Sequence, residues 1–326
     1  MCLSLAARRV YSAGKPTSMR SCARIRRAVL LVSLCLTPGI GLAQSLVPRA
    51  YVITPVDGNA ITLSYGYQYG DVLFDPSIPI TNNGSQLNVA FFCYYHAFSF
   101  FGRSANVTAV LPYAEGNFSG TVVGVKQSIY RSGLTDSSFR LSANLIGGPA
   151  MTAADFGDWR QKTLVGVSLT VEAPTGQYDP ARLINPGSHR WALKPEFGLS
   201  RRWGSWILDA YGGVWFFTAN DRYFPGGSLQ TQQAVGSIET HLSYDVKPRL
   251  WFSLDGNFWY GGVSSLNGGA NIHTRQEDSR VGATMSVPIT KHQSLKFSYS
   301  IADHISFGGD FQIISVAWQY SWLGKP

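Results

Sequence analysis

Three residues close together in the chain, Glu239, His241 and Ser243, carry the side-chain types of a hydrolytic triad. They alternate with Thr240 and Leu242, a pattern that predicts a β-strand. Positions two apart on a strand share a face but lie about 6–7 Å apart, which exceeds the hydrogen-bond reach between a nucleophile and its base. The chain also lacks a Gly-x-Ser-x-Gly nucleophile elbow. We therefore predict no catalytic residues, with a lipid-modifying enzyme kept as an alternative.

Metal and cofactor chemistry is not indicated by the sequence. No pair of histidines has ligand spacing and none has a cysteine partner, and neither a P-loop nor a dinucleotide fingerprint occurs. The six histidines are His96, His189, His241, His273, His292 and His304. We expect no metal site and no bound cofactor.

The N-terminal segment has the features of a secretory signal peptide. Arg24, Arg26 and Arg27 precede a short apolar stretch that ends in small residues before Gln44. We predict cleavage of residues 1–43, with a true start near Met19 as an alternative reading. Seven of the 27 basic residues and none of the 19 acidic ones lie in residues 1–43, so the rest of the chain is nearly neutral. A nucleic-acid partner is not expected.

The remainder divides into a short extended segment, 44–58, and one domain, 59–326. Outside the leader only Cys93 remains, so no internal disulfide can form. Polar and apolar residues alternate through most of the domain, as where Leu295, Phe297 and Tyr299 flank Lys296 and Ser298. We count about twelve such segments: 59–69, 86–98, 104–114, 135–145, 162–173, 190–202, 205–217, 232–246, 250–261, 278–288, 294–302 and 312–322.

The length of these segments predicts the fold class. Strands of soluble proteins usually have about five or six residues, whereas a tilted strand that crosses a bilayer needs about nine to eleven. We predict an all-β protein, a closed antiparallel transmembrane β-barrel of about twelve strands, because closure removes edges that lipid cannot satisfy. The alternative is a soluble sandwich with core aromatics. Outer-membrane lipids and the barrel-assembly machinery are the expected partners of such a barrel.

Short and long connections alternate along the chain, as they do in outer-membrane barrels. The short links are 99–103, 203–204, 247–249 and 289–293, and the long ones are 70–85, 115–134, 174–189, 218–231 and 262–277. A periplasmic N-terminus puts every one of these long links outside. One periplasmic link, 146–161, breaks the rule and has room for a small helix or for packing under the barrel mouth.

The polar face of each strand is predicted to point into a narrow lumen. These side chains form an ion-pair lattice or line a solute path, and both readings stay open here. The lumen candidates are Arg140, Asn144, Lys194, Glu196, Glu239, His241, Asp255, Asn257, Arg280 and Lys296. We expect a long loop to plug or constrict the lumen, and Tyr178, Tyr223 and Phe224 to contact solute at the mouth.

Three stretches carry a resemblance to a known family: 101–113, which begins Phe-Gly-Arg-Ser-Ala-Asn-Val-Thr; Gly133–Asp136; and 173–191, which contains Ala-Pro-Thr-Gly-Gln-Tyr and Asn-Pro-Gly-Ser-His-Arg-Trp. They resemble the meta-pathway phenol-degradation proteins, outer-membrane transporters of Gram-negative bacteria. The resemblance implies an outer-membrane channel that passes small hydrophobic or aromatic compounds. A structural or adhesive barrel whose loops bind a partner is a further alternative.

Overall fold

The computed structural model describes residues 46–73, 80–122, 124–225 and 227–324, and most of them lie in antiparallel strands. The predicted signal peptide lies outside the described residues. The strands are β1 Gly58–Leu73, β2 Ile80–Phe100, β3 Arg103–Val122, β4 Val125–Leu134, β5 Ser137–Ile146, β6 Thr163–Ala173, β7 Ala192–Trp203, β8 Trp206–Phe217, β9 Asn220–Tyr223, β10 Ser228–Gln232, β11 Val235–Lys247, β12 Leu250–Gly261, β13 Ser264–Leu266, β14 Gly269–Asn271, β15 Gln276–Pro288, β16 Gln293–His304 and β17 Gly308–Leu323. One helix, α1 Ala153–Asp158, and one 3-10 turn, Ile272–Thr274, complete the described elements.

The main sheet closes on itself into a barrel. Around the wall the order is β1, β2, β3, β4 with β5, β6, β7, β8, β11, β12, β15, β16 and β17, and β17 pairs back onto β1 with Tyr65 opposite Val316. Strands β4 and β5 act as one interrupted strand, because both pair with β3, at Tyr113–Val122 and Ala105–Val110 respectively. The prediction of a closed antiparallel barrel of about twelve strands is therefore confirmed.

The burial pattern is inverted relative to a soluble protein. On β11, Ile238 is 59% exposed and Leu242 is 39% exposed, whereas Glu239 and His241 between them are buried. Soluble proteins bury their large apolar side chains and expose most of their charges. An apolar exterior around a polar interior is the arrangement that lipid requires, so the soluble sandwich is excluded.

Three long links differ from their prediction as loops. Residues 115–134 form a β-hairpin, because β3 continues to Val122 and turns back through β4. The links after β8 and β12 carry a second, four-stranded sheet, in the order β14-β13-β10-β9. Backbone groups beyond the membrane can still pair with one another, so the hairpin persists where alternation in the sequence is weak. The small helix allowed for in the link 146–161 is present as α1.

In the described part of the chain, no helix is long and apolar enough to cross a bilayer.

Candidate functional site in the barrel lumen

The lower lumen is filled by residues 46–57, which we call the N-terminal plug. Tyr51 and Ile53 of this segment are almost completely buried, although the segment has no regular secondary structure. Two inward-facing glycines make room for it: a Cβ added at Gly166 or at Gly198 would overlap the Tyr51 ring. Glycine is needed at these two positions because the plug approaches the wall so closely.

The plug is bound to the wall by charged and polar contacts. The Arg49 guanidinium donates to Asp245 Oδ1 at 2.7 Å, and the backbone N–H of Arg49 donates to Asp209 Oδ2 at 3.1 Å. The Ala50 N–H donates to Tyr211 Oη at 2.9 Å. These contacts join the plug to β8 and β11, on the side of the barrel opposite its own strand β1.

Tyr51 forms the second set of plug contacts. Its hydroxyl lies 3.0 Å from both Ser168 Oγ and Glu196 Oε1. Its carbonyl accepts a hydrogen bond from Asn144 Nδ2 at 3.2 Å, and the Arg140 guanidinium lies 4.8 Å from the centre of its ring. Because the ring, the hydroxyl and the carbonyl are all engaged, the plug has one well-defined position.

A lattice of paired charges lies beside the plug. Lys194 Nζ is 2.7 Å from Glu196 Oε2 and 3.0 Å from Glu239 Oε1. His241 follows, with Nδ1 at 2.9 Å from Asp255 Oδ1 and Nε2 at 3.7 Å from Glu239 Oε2. Such buried charges are stable only when paired, and these contacts supply the pairing.

The same lattice argues against the triad considered from the sequence. His241 is oriented by Asp255 and Glu239, and Ser243 Oγ has no hydrogen-bond partner among the described residues. The serine and the histidine are thus not arranged as nucleophile and base. The described residues also contain no group of His, Cys, Asp or Glu side chains suited to a metal ion.

The lumen candidates all lie on the inward side of the wall, and nine of them are in two groups. Seven surround the plug and the charge lattice: Arg140, Asn144, Lys194, Glu196, Glu239, His241 and Asp255. Asn257 and Arg280 are buried opposite each other on the adjacent strands β12 and β15, and Arg280 Nη1 donates to the Phe311 carbonyl at 2.9 Å. The tenth, Lys296 on β16, is half-buried.

The mouth-loop candidates are partly brought together. The Tyr178 hydroxyl donates to the Arg222 carbonyl at 3.1 Å, and its ring stacks on His189 at 4.9 Å. Tyr223 and Phe224 follow Arg222 directly in the chain, and Phe224 remains exposed. The two loops that carry the three aromatic residues are therefore in contact with each other.

An aromatic layer above the charge lattice was not predicted from the sequence. Its core consists of Ala192, Trp215, Val235 and Trp259, with Phe217 and Ile305 packed against it. Lys194 Nζ lies 5.7 Å from the Trp215 ring centre, so the layer directly adjoins the charged residues. Trp215 Nε1 is buried and has no partner among the described residues. The sequence did contain a signal for this layer, because Trp215 and Trp259 lie at inward-facing positions of strands in which polar and apolar residues alternate.

The wall is interrupted between β4 and β5, and a loop closes the interruption. Asp136 accepts hydrogen bonds from the Gly176 N–H at 2.9 Å, the Ser188 N–H at 2.8 Å and Ser188 Oγ at 2.5 Å. Nearby, burial lowers the pKa of the Arg190 guanidinium to about 10, against the opposing effect of the carboxylates of Glu172 and Asp136. The second and third stretches that carry the family resemblance therefore meet here.

Comparison with known proteins agrees with this geometry. Residues 66–304 match the sequence profile of the family described as MetA-pathway of phenol degradation. The chain belongs to this family. The resemblance predicted from the three stretches is thus confirmed, and as a member of the phenol-degradation family the chain is an outer-membrane β-barrel. No curated protein matches it.

Solved structures share the fold of this phenol-degradation family member. A crystal structure of an outer membrane channel from Pseudomonas putida superposes with a TM-score of 0.69 at 16% identity, covering 84% of this chain and 99% of that one. A structure described as the CymD monoaromatic hydrocarbon channel gives only 0.40 at 8% identity, covering 82% and 90%. The first of these likenesses supports the barrel fold, and the second is too weak to carry an argument.

Proposed function

We propose that the protein is an outer-membrane channel that lets small aromatic or hydrophobic molecules pass without an energy source. The aromatic layer of Trp215, Trp259 and Phe217 across the upper lumen carries this proposal. A hydrated ion gains nothing from such a layer, whereas an aromatic solute gains contact area and ring–ring interactions there. The buried Trp215 N–H can also donate to an oxygen atom on the solute.

The two sides of the lumen support the same solute class. Strands β2 and β3 turn apolar side chains inward, including Leu87, Val89, Phe91 and Val110. The facing strands carry the charge lattice around Lys194. A small molecule with an apolar ring and one polar group can contact both sides, whereas a strongly hydrated solute gains nothing from the apolar side.

The N-terminal plug sets a condition on passage. Tyr51 and Arg49 occupy the lower lumen, so a solute that leaves the aromatic layer must move the plug or pass beside it. A general porin keeps a wide water-filled lumen. We therefore propose selective and slow passage, and we keep the lipid-modifying enzyme only as an alternative, since the serine and histidine of its site are not assembled.

Solute-induced swelling of proteoliposomes tests the proposal. Phenol-sized aromatic compounds, aliphatic compounds of equal volume and a small sugar are compared for the wild type, Trp215→Ala and Trp206→Ala. Trp206 lies on the same strand but faces outward, which makes it the matched control. We expect the ratio of aromatic to sugar permeation to fall in Trp215→Ala only. An unselective wild type, or equal ratios in both variants, would contradict the proposal.

The mouth loops form a further part of this proposal, as the first contact for the solute. Tyr178, Tyr223 and Phe224 present apolar rings where the two loops meet. Shortening both loops is expected to slow aromatic uptake while the barrel stays folded. Unchanged uptake would contradict a role of the mouth loops in solute contact.

We further propose how the protein reaches the outer membrane. It is exported through the predicted signal peptide, residues 1–43, and is then inserted by the barrel-assembly machinery.

A further inference from the structure

The edge of the barrel with the short strand connections carries a row of basic residues. Outer-membrane barrels have their short turns on the periplasmic side, so we take this to be the periplasmic edge. Consecutive connections around the wall each contribute to it, from the link before β6 through the β7–β8, β11–β12 and β15–β16 turns. Its exposed members are Arg160, Lys162, Arg201, Lys247 and Lys291, and Arg249 is half-buried among them. We call these six residues the basic rim.

Hydrogen bonds between neighbouring connections hold the basic rim in one piece. The Arg202 N–H donates to the Lys162 carbonyl at 2.8 Å, and the Asp245 N–H donates to the Ser205 carbonyl at 2.8 Å. The Arg249 guanidinium donates to the carbonyl oxygens of Thr290 and Gln293. The connections that carry the cationic side chains are therefore joined along a common edge instead of being independent loops.

The basic rim has more basic than acidic side chains. Asp155 and Asp158 of α1 are exposed in the link before β6, whereas Asp245, the one acidic residue in the described segments 159–163, 200–206, 245–251 and 287–293, is already ion-paired with Arg49 and Arg202. The opposite edge of the barrel is mixed in charge: Asp71, Glu277, Asp303 and Asp310 are exposed there, and so are Lys126, Arg182, Arg222 and Arg275. The excess of positive charge is therefore a feature of the basic rim and not of both edges.

A row of aromatic side chains lies directly above the basic rim on the outer surface. The Trp206 and Tyr244 rings are 4.8 Å apart, and Tyr244 is 5.6 Å from Phe252. The Arg201 guanidinium lies 5.7 Å from the centre of the Trp203 ring. Such rings settle at the level of lipid headgroups, so the basic rim is held at the depth of the phosphates of the periplasmic leaflet.

We infer that the basic rim is a binding surface for anionic phospholipid headgroups of the periplasmic leaflet, those with phosphate and no compensating ammonium group. Guanidinium and ammonium groups bind phosphate oxygens by charge-assisted hydrogen bonds. Juxtamembrane clusters of Lys and Arg gain affinity for anionic lipid with each added charge. The aromatic row above supplies contact with the adjoining glycerol and upper acyl chains.

Native mass spectrometry of the detergent-purified protein, with phosphatidylglycerol or phosphatidylcholine added, tests this inference. The triple variant Lys162→Gln, Arg201→Gln, Lys247→Gln removes three exposed charges of the rim. The control Lys126→Gln, Arg182→Gln, Arg222→Gln removes three exposed charges from the opposite edge. We expect the wild type and the control to retain phosphatidylglycerol over phosphatidylcholine, and the rim variant to bind it at least ~10-fold more weakly.

A charge-preserving variant separates charge from shape. Lys162→Arg with Lys247→Arg is expected to bind phosphatidylglycerol as the wild type does, and each variant is first checked for an intact barrel by its gel migration without heating. The inference is overturned if the rim variant binds phosphatidylglycerol like the wild type, if the control loses as much binding, or if the wild type does not prefer phosphatidylglycerol.

Discussion

At the scale of single residues, the lumen combines groups that seldom share a protein interior: paired charges, a tyrosine from outside the sheet and a layer of tryptophans. Lys194 links the first and the last, since it is paired with Glu196 and Glu239 and lies under Trp215. The charged residues bind the plug, and the aromatic residues provide the surface proposed for the solute. The residues that position the plug and the residues proposed to contact the solute therefore lie at different levels of the same lumen.

The close packing of the Tyr51 ring against Gly198 gives the first prediction. Gly198→Ala puts a methyl group into the Tyr51 ring, and overpacking of this kind costs about 1–3 kcal/mol, which disfavours the seated plug. We expect higher single-channel conductance. Gly212→Ala on the neighbouring strand is the control, because a Cβ there meets open space. Equal conductance in the two variants would show that the plug does not limit flow.

The interruption of the wall gives the second prediction. Asp136→Asn replaces an anionic acceptor of three hydrogen bonds from Gly176 and Ser188, and the loss of such contacts costs about 1–3 kcal/mol. The loop from 174 to 191 should then exchange its amide hydrogens faster. Asp179→Asn, which alters a surface pair with Arg182 in the same loop, should change the exchange less. Unaltered amide exchange in Asp136→Asn would mean that contacts other than those of Asp136 hold the loop in place.

At the scale of elements, each strand separates a lipid face from a lumen face. Most of this could be predicted from the sequence, because residues such as Lys296 and Phe297 alternate strictly where the strand is in contact with lipid on one side. The outer hairpin of β3 and β4 could not be predicted in this way. Water surrounds both of its faces, so nothing selects apolar residues on one of them, and its glycine and asparagine content suggested a loop.

The assignment of lipid-facing and lumen-facing side chains on β16 and β17 gives the third prediction. Val316→Arg puts a charge on the outer face, where Val316 pairs with Tyr65 and Phe297, and this costs about 2–4 kcal/mol near the bilayer midplane. Lys296→Gln on the inner face should cost much less. Unfolding of both variants by guanidinium in lipid vesicles measures the difference. Equal losses of unfolding free energy in the two variants would mean that the assignment of outer and inner faces is wrong.

At the scale of the whole molecule, closure of the sheet between β1 and β17 replaces the compact apolar core of a soluble protein. The strand count and the closure followed from the sequence, because strand length and the exclusion of free edges from lipid leave few other solutions. The identity of the plug did not follow. A long loop was expected in the lumen, whereas the N-terminal plug occupies it, because only the folded barrel brings Gly166 and Gly198 beside Tyr51.

Closure gives the fourth prediction. A barrel without edges resists detergent, so the unheated protein should run ahead of its heated form on a gel. Substituting Pro at Ile314, which pairs with Tyr67 and Tyr299, removes a ladder N–H on a strand that has neighbours on both sides. We expect this variant to lose the fast band. Identical migration of wild-type protein before and after heating would argue against a closed barrel.

The origin of the plug from the first residues before β1 fixes the order of events during assembly. Arg49 and Tyr51 form hydrogen bonds with partners that lie between 93 and 196 positions later in the chain. These partners lie on β5 to β11, so the docking surface does not exist until those strands have been added, and the plug is seated after them. A nascent barrel therefore passes through a stage at which its first strands are paired while its lumen is not yet filled.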